Sequence, residues 1–139
     1  MEKGILLEIA TPDRLLVSEE AEDINAPGSL GDFGVLPGHT PFLTTLRAGE
    51  ISYKPVKGER KYLAVSWGYA EVRADKMIIL ADSAEKAEDI DLERAKKALQ
   101  RAGDRLKTRT PDIDVERAEA SLARALARIQ VARSRGDKA

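Results

Sequence analysis

The sequence predicts a mixed protein, β then α: an all-β module of sandwich type followed by an antiparallel two-helix hairpin. Three observations carry this. Short apolar or alternating runs, each closed by turn residues, recur through the first half at about the 8–12-residue spacing of a sandwich or barrel. No helical period appears before about residue 84. From there on, two heptad-like seams replace the alternation. The boundary falls between residues 1–86 and 87–139.

The β runs follow in order. Ile5-Leu6-Leu7-Glu8-Ile9 runs into Thr11-Pro12-Asp13, and Glu22-Asp23-Ile24-Asn25-Ala26 stops at Pro27-Gly28. Phe42-Leu43-Thr44-Thr45-Leu46 ends at Ala48-Gly49-Glu50, and Ile51-Ser52-Tyr53-Lys54 reaches Lys57-Gly58-Glu59. Tyr62-Leu63-Ala64-Val65-Ser66 and Gly68-Tyr69-Ala70-Glu71-Val72-Arg73 precede a tight turn at Ala74-Asp75-Lys76 and a last run, Met77-Ile78-Ile79-Leu80. Period-2 geometry puts Tyr69, Glu71 and Arg73 on one face and Ala70 and Val72 on the other. Gly31-Asp32-Phe33-Gly34-Val35-Leu36-Pro37-Gly38 reads as a tight loop. Aromatic residues make up 4% of the chain, so the core is expected to be aliphatic.

Thr110-Pro111 splits the helical half. Leu92, Ala95, Leu99, Ala102 and Leu106 form the first seam, and Val115, Ala118, Leu122, Ala125, Ile129 and Ala132 the second. The two helix starts repeat one another. Asp89-Ile90-Asp91-Leu92-Glu93-Arg94-Ala95 through Leu99 matches Asp112-Ile113-Asp114-Val115-Glu116-Arg117-Ala118 through Leu122 at 7 of 11 positions. Acids at both starts cap N–H groups and suit the positive end of the helix dipole. The short link makes an antiparallel hairpin the default. An alanine-rich seam buries little apolar surface, which predicts a hairpin that opens easily.

Charge is divided between the halves. Residues 1–88 carry 10 Lys+Arg against 15 Asp+Glu, whereas residues 89–139 carry 13 against 9. An acidic module and a basic one imply different contact surfaces. Arg117, Arg124, Arg128 and Arg135 are spaced 7, 4 and 7, and no acid lies between Ala120 and Arg135. A solvated helix usually mixes signs to gain i,i+4 pairs. A stripe of one sign points to an acidic surface or a phosphate, with a plain solvated face as the alternative. Low total charge and few aromatics argue against nucleic acid.

Enzyme chemistry finds no footing. The chain has no cysteine and one histidine, His39, which reads as a loop or interface residue. Neither the P-loop nor the dinucleotide fingerprint occurs. No run approaches the ~20 apolar residues of a membrane span. Met1-Glu2-Lys3-Gly4 leads directly into the first alternating run, with no signal or transit peptide expected.

Gly34-Val35-Leu36-Pro37-Gly38-His39-Thr40-Pro41 resembles the GxLPGHxP loop of the epsilon subunits of F-type ATP synthases. Ile9-Ala10-Thr11-Pro12-Asp13 is similar to that family's first strand and turn. Val65-Ser66-Trp67-Gly68-Tyr69-Ala70-Glu71-Val72 is similar to its S-x-G-x-x-E-V hairpin. Ile79-Leu80-Ala81-Asp82, then Glu85, Glu88 and Asp89, resembles its junction into the helices. Trp67 departs from the pattern, since many members carry glycine there.

The resemblance implies a sandwich of about ten strands and a C-terminal hairpin. It implies a non-catalytic central-stalk subunit that binds gamma, stands on the c-ring and helps couple proton flow to ATP synthesis. Its hairpin folds down on the sandwich or extends toward the alpha and beta subunits and blocks ATP hydrolysis. It also implies a peripheral place at the cytoplasmic face of the bacterial inner membrane, held only through the complex. Asp32 and His39 are carried over as c-ring contacts. Glu85, Asp91, Arg94, Arg124 and Arg128 fill the positions of a family ATP site, with ATP as a regulatory ligand and no required cofactor. Arg133 and Arg135 are expected to meet acidic segments of the beta subunits. The plain alternative for Asp91 is a helix-start acid paired with Arg94 at i,i+3, as Asp114 and Arg117 repeat it. A stand-alone nucleotide sensor and a nucleic-acid-binding hairpin are the competing functions, and both leave residues 31–41 unexplained.

Overall fold

The computed structural model describes residues 4–108 and 111–136. The Met1-Glu2-Lys3 start and Thr110 of the predicted break lie outside them. Seven strands come first: β1 (Ile5–Ala10), β2 (Leu15–Gly28), β3 (Gly31–Val35), β4 (Phe42–Leu46), β5 (Gly49–Pro55), β6 (Lys61–Val72) and β7 (Lys76–Lys86). One 3-10 turn, Ala87–Asp89, leads into helices α1 (Leu92–Thr108) and α2 (Val115–Gly136).

The strands close on one another. β1 pairs antiparallel with β2 and parallel with β7, β5 bridges β2 and β6, and β6 pairs with β7 along its length. β4 lies beside β6 and touches β2 at Gly28 and Leu46. Closure removes most free edges, the usual hazard of a β module. Inside is an aliphatic cluster drawn from every strand, including Ile5, Leu7, Ile9, Ile24, Val35, Leu46, Ile51, Leu63 and Ile79. The Tyr69/Ala70 alternation holds, with Ala70 and Val72 buried and Tyr69 exposed.

Strands number seven among the described residues rather than about ten because several are long. β2, β6 and β7 run for 14, 12 and 11 residues. The runs Tyr62–Ser66 and Gly68–Val72 are one strand that bends between them: its first half pairs with β5 and its second with β4. The bend sits at Trp67 and Gly68, both with positive φ (46° and 127°). Residues 31–38 are not a loop throughout, since Gly31–Val35 is β3, paired with Ile24–Gly28 of β2. Glycines at 31 and 34 hid that strand, and only residues 36–41 form the loop.

A polar network enters the core. The buried Tyr53 hydroxyl donates to Glu19 Oε1 at 2.6 Å, and Lys61 Nζ reaches the same oxygen at 2.9 Å. Burial raises the Glu19 pKa, but these two donors outweigh it and hold the carboxyl below its ordinary value. Burial and the neighbouring carboxylate both push the Tyr53 phenol upward.

The hairpin attaches through α2. Its Ala127 and Val131 are buried with Ala64 of β6 and Ala87, while Tyr62 and Ile90 pack alongside. Between the helices the fully buried positions are mostly alanines, Ala95 and Ala102 on α1 and Ala118 and Ala125 on α2, with Ile129 the larger exception. The thin seam expected from the sequence is the one observed.

Candidate functional site

Both helix starts are capped by the second aspartate of the repeat. The Arg94 backbone N–H donates to Asp91 Oδ1 at 3.1 Å, and the Arg117 backbone N–H donates to Asp114 Oδ1 at 3.1 Å. The Ala95 and Ala118 N–H groups bond the carbonyls of the same two aspartates. This satisfies donors that a helix start leaves open. It also revises the i,i+3 alternative. Asp91 meets the backbone of Arg94 rather than its guanidinium, which makes no ion pair among the described residues.

The arginine stripe of α2 does not face solvent as a unit. Arg124 and Arg128 turn onto the sandwich, while Arg117, Arg133 and Arg135 are exposed. Arg128 Nε donates to Glu85 Oε1 near the end of β7 at 2.9 Å. The Arg124 guanidinium lies 5.6 Å from the centre of the Trp67 ring, within cation–π range, and donates to Ser121 Oγ at 3.2 Å. The bend in β6 thus supplies a platform for α2, and Trp67 does cover a face.

Glu85, Asp91, Arg94, Arg124 and Arg128 all line one cleft of about 430 Å³ between β7, α1 and α2. Asp89, Arg101 and Ser121 also line it. An adjoining lobe of about 360 Å³ shares Glu85, Asp89, Arg124 and Arg128 and adds Arg14, Ser66 and Ser83. Across the two lobes five arginines face three acids. The surplus positive charge and the hydroxyls suit a phosphate-bearing ligand. Clefts of this size are typical of small-molecule sites. No cluster of three or more His, Cys, Asp or Glu able to hold a metal occurs among the described residues.

Sequence reasoning missed Arg101, although it stands seven residues after Arg94 and hence on the same helix face. It also missed Arg14, whose turn between β1 and β2 gives no sequence hint of proximity to α2.

Asp32 and His39 lie apart from this cleft, near opposite ends of β3. Asp32 is ion-paired with Arg47. His39 Nδ1 is 2.7 Å from the Thr40 carbonyl, and its ring packs edge-on to Phe42, which in turn meets Phe33. Leu30, Leu36 and Leu43 are exposed in the same region, Leu30 completely. No helix among the described residues is long and apolar enough to cross a membrane.

Comparison with known proteins agrees with this architecture. Residues 5–87 match the family described as ATP synthase, Delta/Epsilon chain, beta-sandwich domain. Residues 88–133 match ATP synthase, Delta/Epsilon chain, long alpha-helix domain. The ATP synthase epsilon chain of Geotalea daltonii is 51% identical over 111 residues, 80% of each chain. ATP synthase epsilon chain 2 of Syntrophotalea carbinolica is 54% identical over 112 residues, again 80% of each. A chain of the Euglena gracilis mitochondrial ATP synthase, from a structure of OSCP, F1 and the c-ring, is 25% identical. It covers 88% of this chain and 78% of its own with a TM-score of 0.77. A chain from the Tetrahymena thermophila mitochondrial ATP synthase central stalk and c-ring shares the fold, at 12% identity, 96% coverage of both and a TM-score of 0.55. On sequence, fold and domain order together, this chain belongs to the epsilon-chain family of ATP synthases.

Proposed function

We propose that this chain is a non-catalytic central-stalk subunit of an F-type ATP synthase whose docked hairpin is one of two working positions. In the docked position ATP occupies the arginine-lined cleft and holds α2 on the sandwich. When ATP is scarce the hairpin lifts, extends beside gamma, and presents Arg133 and Arg135 to acidic segments of the beta subunits. That position blocks ATP hydrolysis. The subunit works at the cytoplasmic face of the bacterial inner membrane, and the complex alone holds it there. Gamma docks on the exposed outer stripe of the sandwich, where Tyr69 is in register with Leu80, and Leu43 with Glu71 two residues further along β6. Asp32 and His39 meet the c-ring.

The observation that carries the moving hairpin is how little holds α2 down. Burying Val131 contributes about 1.5–3 kcal/mol and an alanine methyl less. A half-exposed ion pair such as Arg128–Glu85 adds about 0–1 kcal/mol, and a cation–π contact about 0.5–1 kcal/mol. A ligand at ~100 times its Kd contributes about 2.7 kcal/mol to the state it binds. Ligand and docking terms are of one size, so the nucleotide decides the position.

Deleting the chain after Asp89 in the assembled enzyme tests the inhibitory arm. The expected result is a several-fold rise in ATP hydrolysis at low ATP, with the stalk still assembled. Unchanged hydrolysis at every nucleotide level would remove inhibition from this reading.

A further inference from the structure

A ligand moves a two-position hairpin only by as much as it prefers one position over the other. Arg94 and Arg101 lie on α1, and Arg124 and Arg128 on α2. All four leave with the hairpin. Of the five residues expected at the site, Glu85 alone belongs to the sandwich. It is an acid that already accepts from Arg128, and it gives a phosphate nothing to prefer. A phosphate-bearing ligand needs some donor on the sandwich if it is to hold the hairpin down.

The sandwich supplies such donors in the adjoining lobe. Arg14 stands in the turn between β1 and β2, fixed by the Thr11 N–H donating to the Arg14 carbonyl at 2.9 Å. Its guanidinium makes no ion pair or hydrogen bond among the described residues. Ser66 of β6 is directly opposite Ser83 of β7, and both line the lobe. Ser66 is only 6% exposed, yet its hydroxyl has no hydrogen-bond partner among the described residues. Arg124 and Arg128 border the lobe from the α2 side. One guanidinium and two hydroxyls on the sandwich therefore face two guanidiniums on the hairpin across a space of about 360 Å³. Guanidinium groups and hydroxyls converging from separate elements are the donor set of a phosphate site.

We propose that Arg14, Ser66 and Ser83 form a sandwich-side phosphate subsite, so that the bound nucleotide bridges the two halves of the molecule. Bridging makes binding and docking one event, because only the docked hairpin completes the donor set. This rests on the nucleotide reading of the cleft, to which it adds the residues that couple binding to position.

The test is calorimetric titration of ATP into the full-length chain and its variants. Arg14→Ala is expected to weaken binding about 10-fold, the loss of one charge-assisted contact. Arg14→Lys is expected to restore part of it, and Ser66→Ala to weaken binding by a smaller factor. Arg73→Ala removes an equal charge from a turn where Arg73 pairs with Glu71, and is expected to leave binding unchanged. Wild-type affinity in Arg14→Ala would overturn the subsite and leave the nucleotide reading standing. An equal loss in Arg73→Ala would also overturn it, by reducing the effect to net charge. Absence of ATP binding to the wild-type chain would remove both.

Discussion

Arg124→Ala combined with Arg128→Ala is expected to lower ATP affinity at least about 100-fold, because each charge-assisted hydrogen bond to a phosphate contributes about 1.5–3 kcal/mol. Both guanidiniums border both lobes of the cleft. The same pair also holds α2 to the sandwich, Arg128 through Glu85 and Arg124 through Trp67. The double variant therefore loses ligand contacts and docking together, and the two losses need not add. Glu85→Gln separates them. It weakens the attachment of Arg128 but removes an acid from the phosphate environment, so affinity should change far less than in the double variant. Titration calorimetry on the three proteins gives the answer. ATP affinity equal to wild type in the double variant would rule out the cleft as the nucleotide site.

Gly68→Ala is expected to destabilise the β module by about 4 kcal/mol or more, a size reserved for backbone or core damage. Gly68 has φ 127°, a conformation that residues with a Cβ rarely adopt. A Cβ there would stand 2.0 Å from the Leu80 carbonyl oxygen and 2.8 Å from the Ala81 Cα. Both are backbone atoms of β7 in the paired ladder, so neither can swing aside. The bend at Trp67 and Gly68 lets β6 pair with β5 on one side and β4 on the other. Losing it opens the sandwich and withdraws the Trp67 platform from Arg124. Chemical denaturation monitored by far-UV circular dichroism measures the loss. A midpoint within error of wild type would show that the bend tolerates a side chain.

Much of this was legible in the residues. Alternation located the buried faces because the period-2 rule holds wherever one side of a strand meets a core, as at Ala70 and Val72. The repeat identified Asp91 and Asp114 as helix starts because capping is a local interaction. The glycine at 31 and 34 concealed β3, since a strand held mainly by backbone pairing to β2 needs no apolar run. The bend at Trp67 and Gly68 made one strand read as two. The seam predicted the helix–helix face, but Ala127 and Val131, which meet the sandwich, lie on a second face with no strong apolar period. Arg101 was available from its spacing to Arg94. Arg14 was not, because only the closure of β1 against β7 brings that turn beside the end of β7 and the middle of α2.

In the proposed cycle, nucleotide holds a weakly docked hairpin on the sandwich. The most direct measurement is the distance between a probe on the outer face of the sandwich and one on the exposed side of α2 near Arg128, taken by pulsed electron resonance with and without ATP. A single short distance is expected at saturating ATP, and a broadened or longer population without it. A distance distribution that does not respond to ATP, in a chain shown by calorimetry to bind it, would contradict the claim.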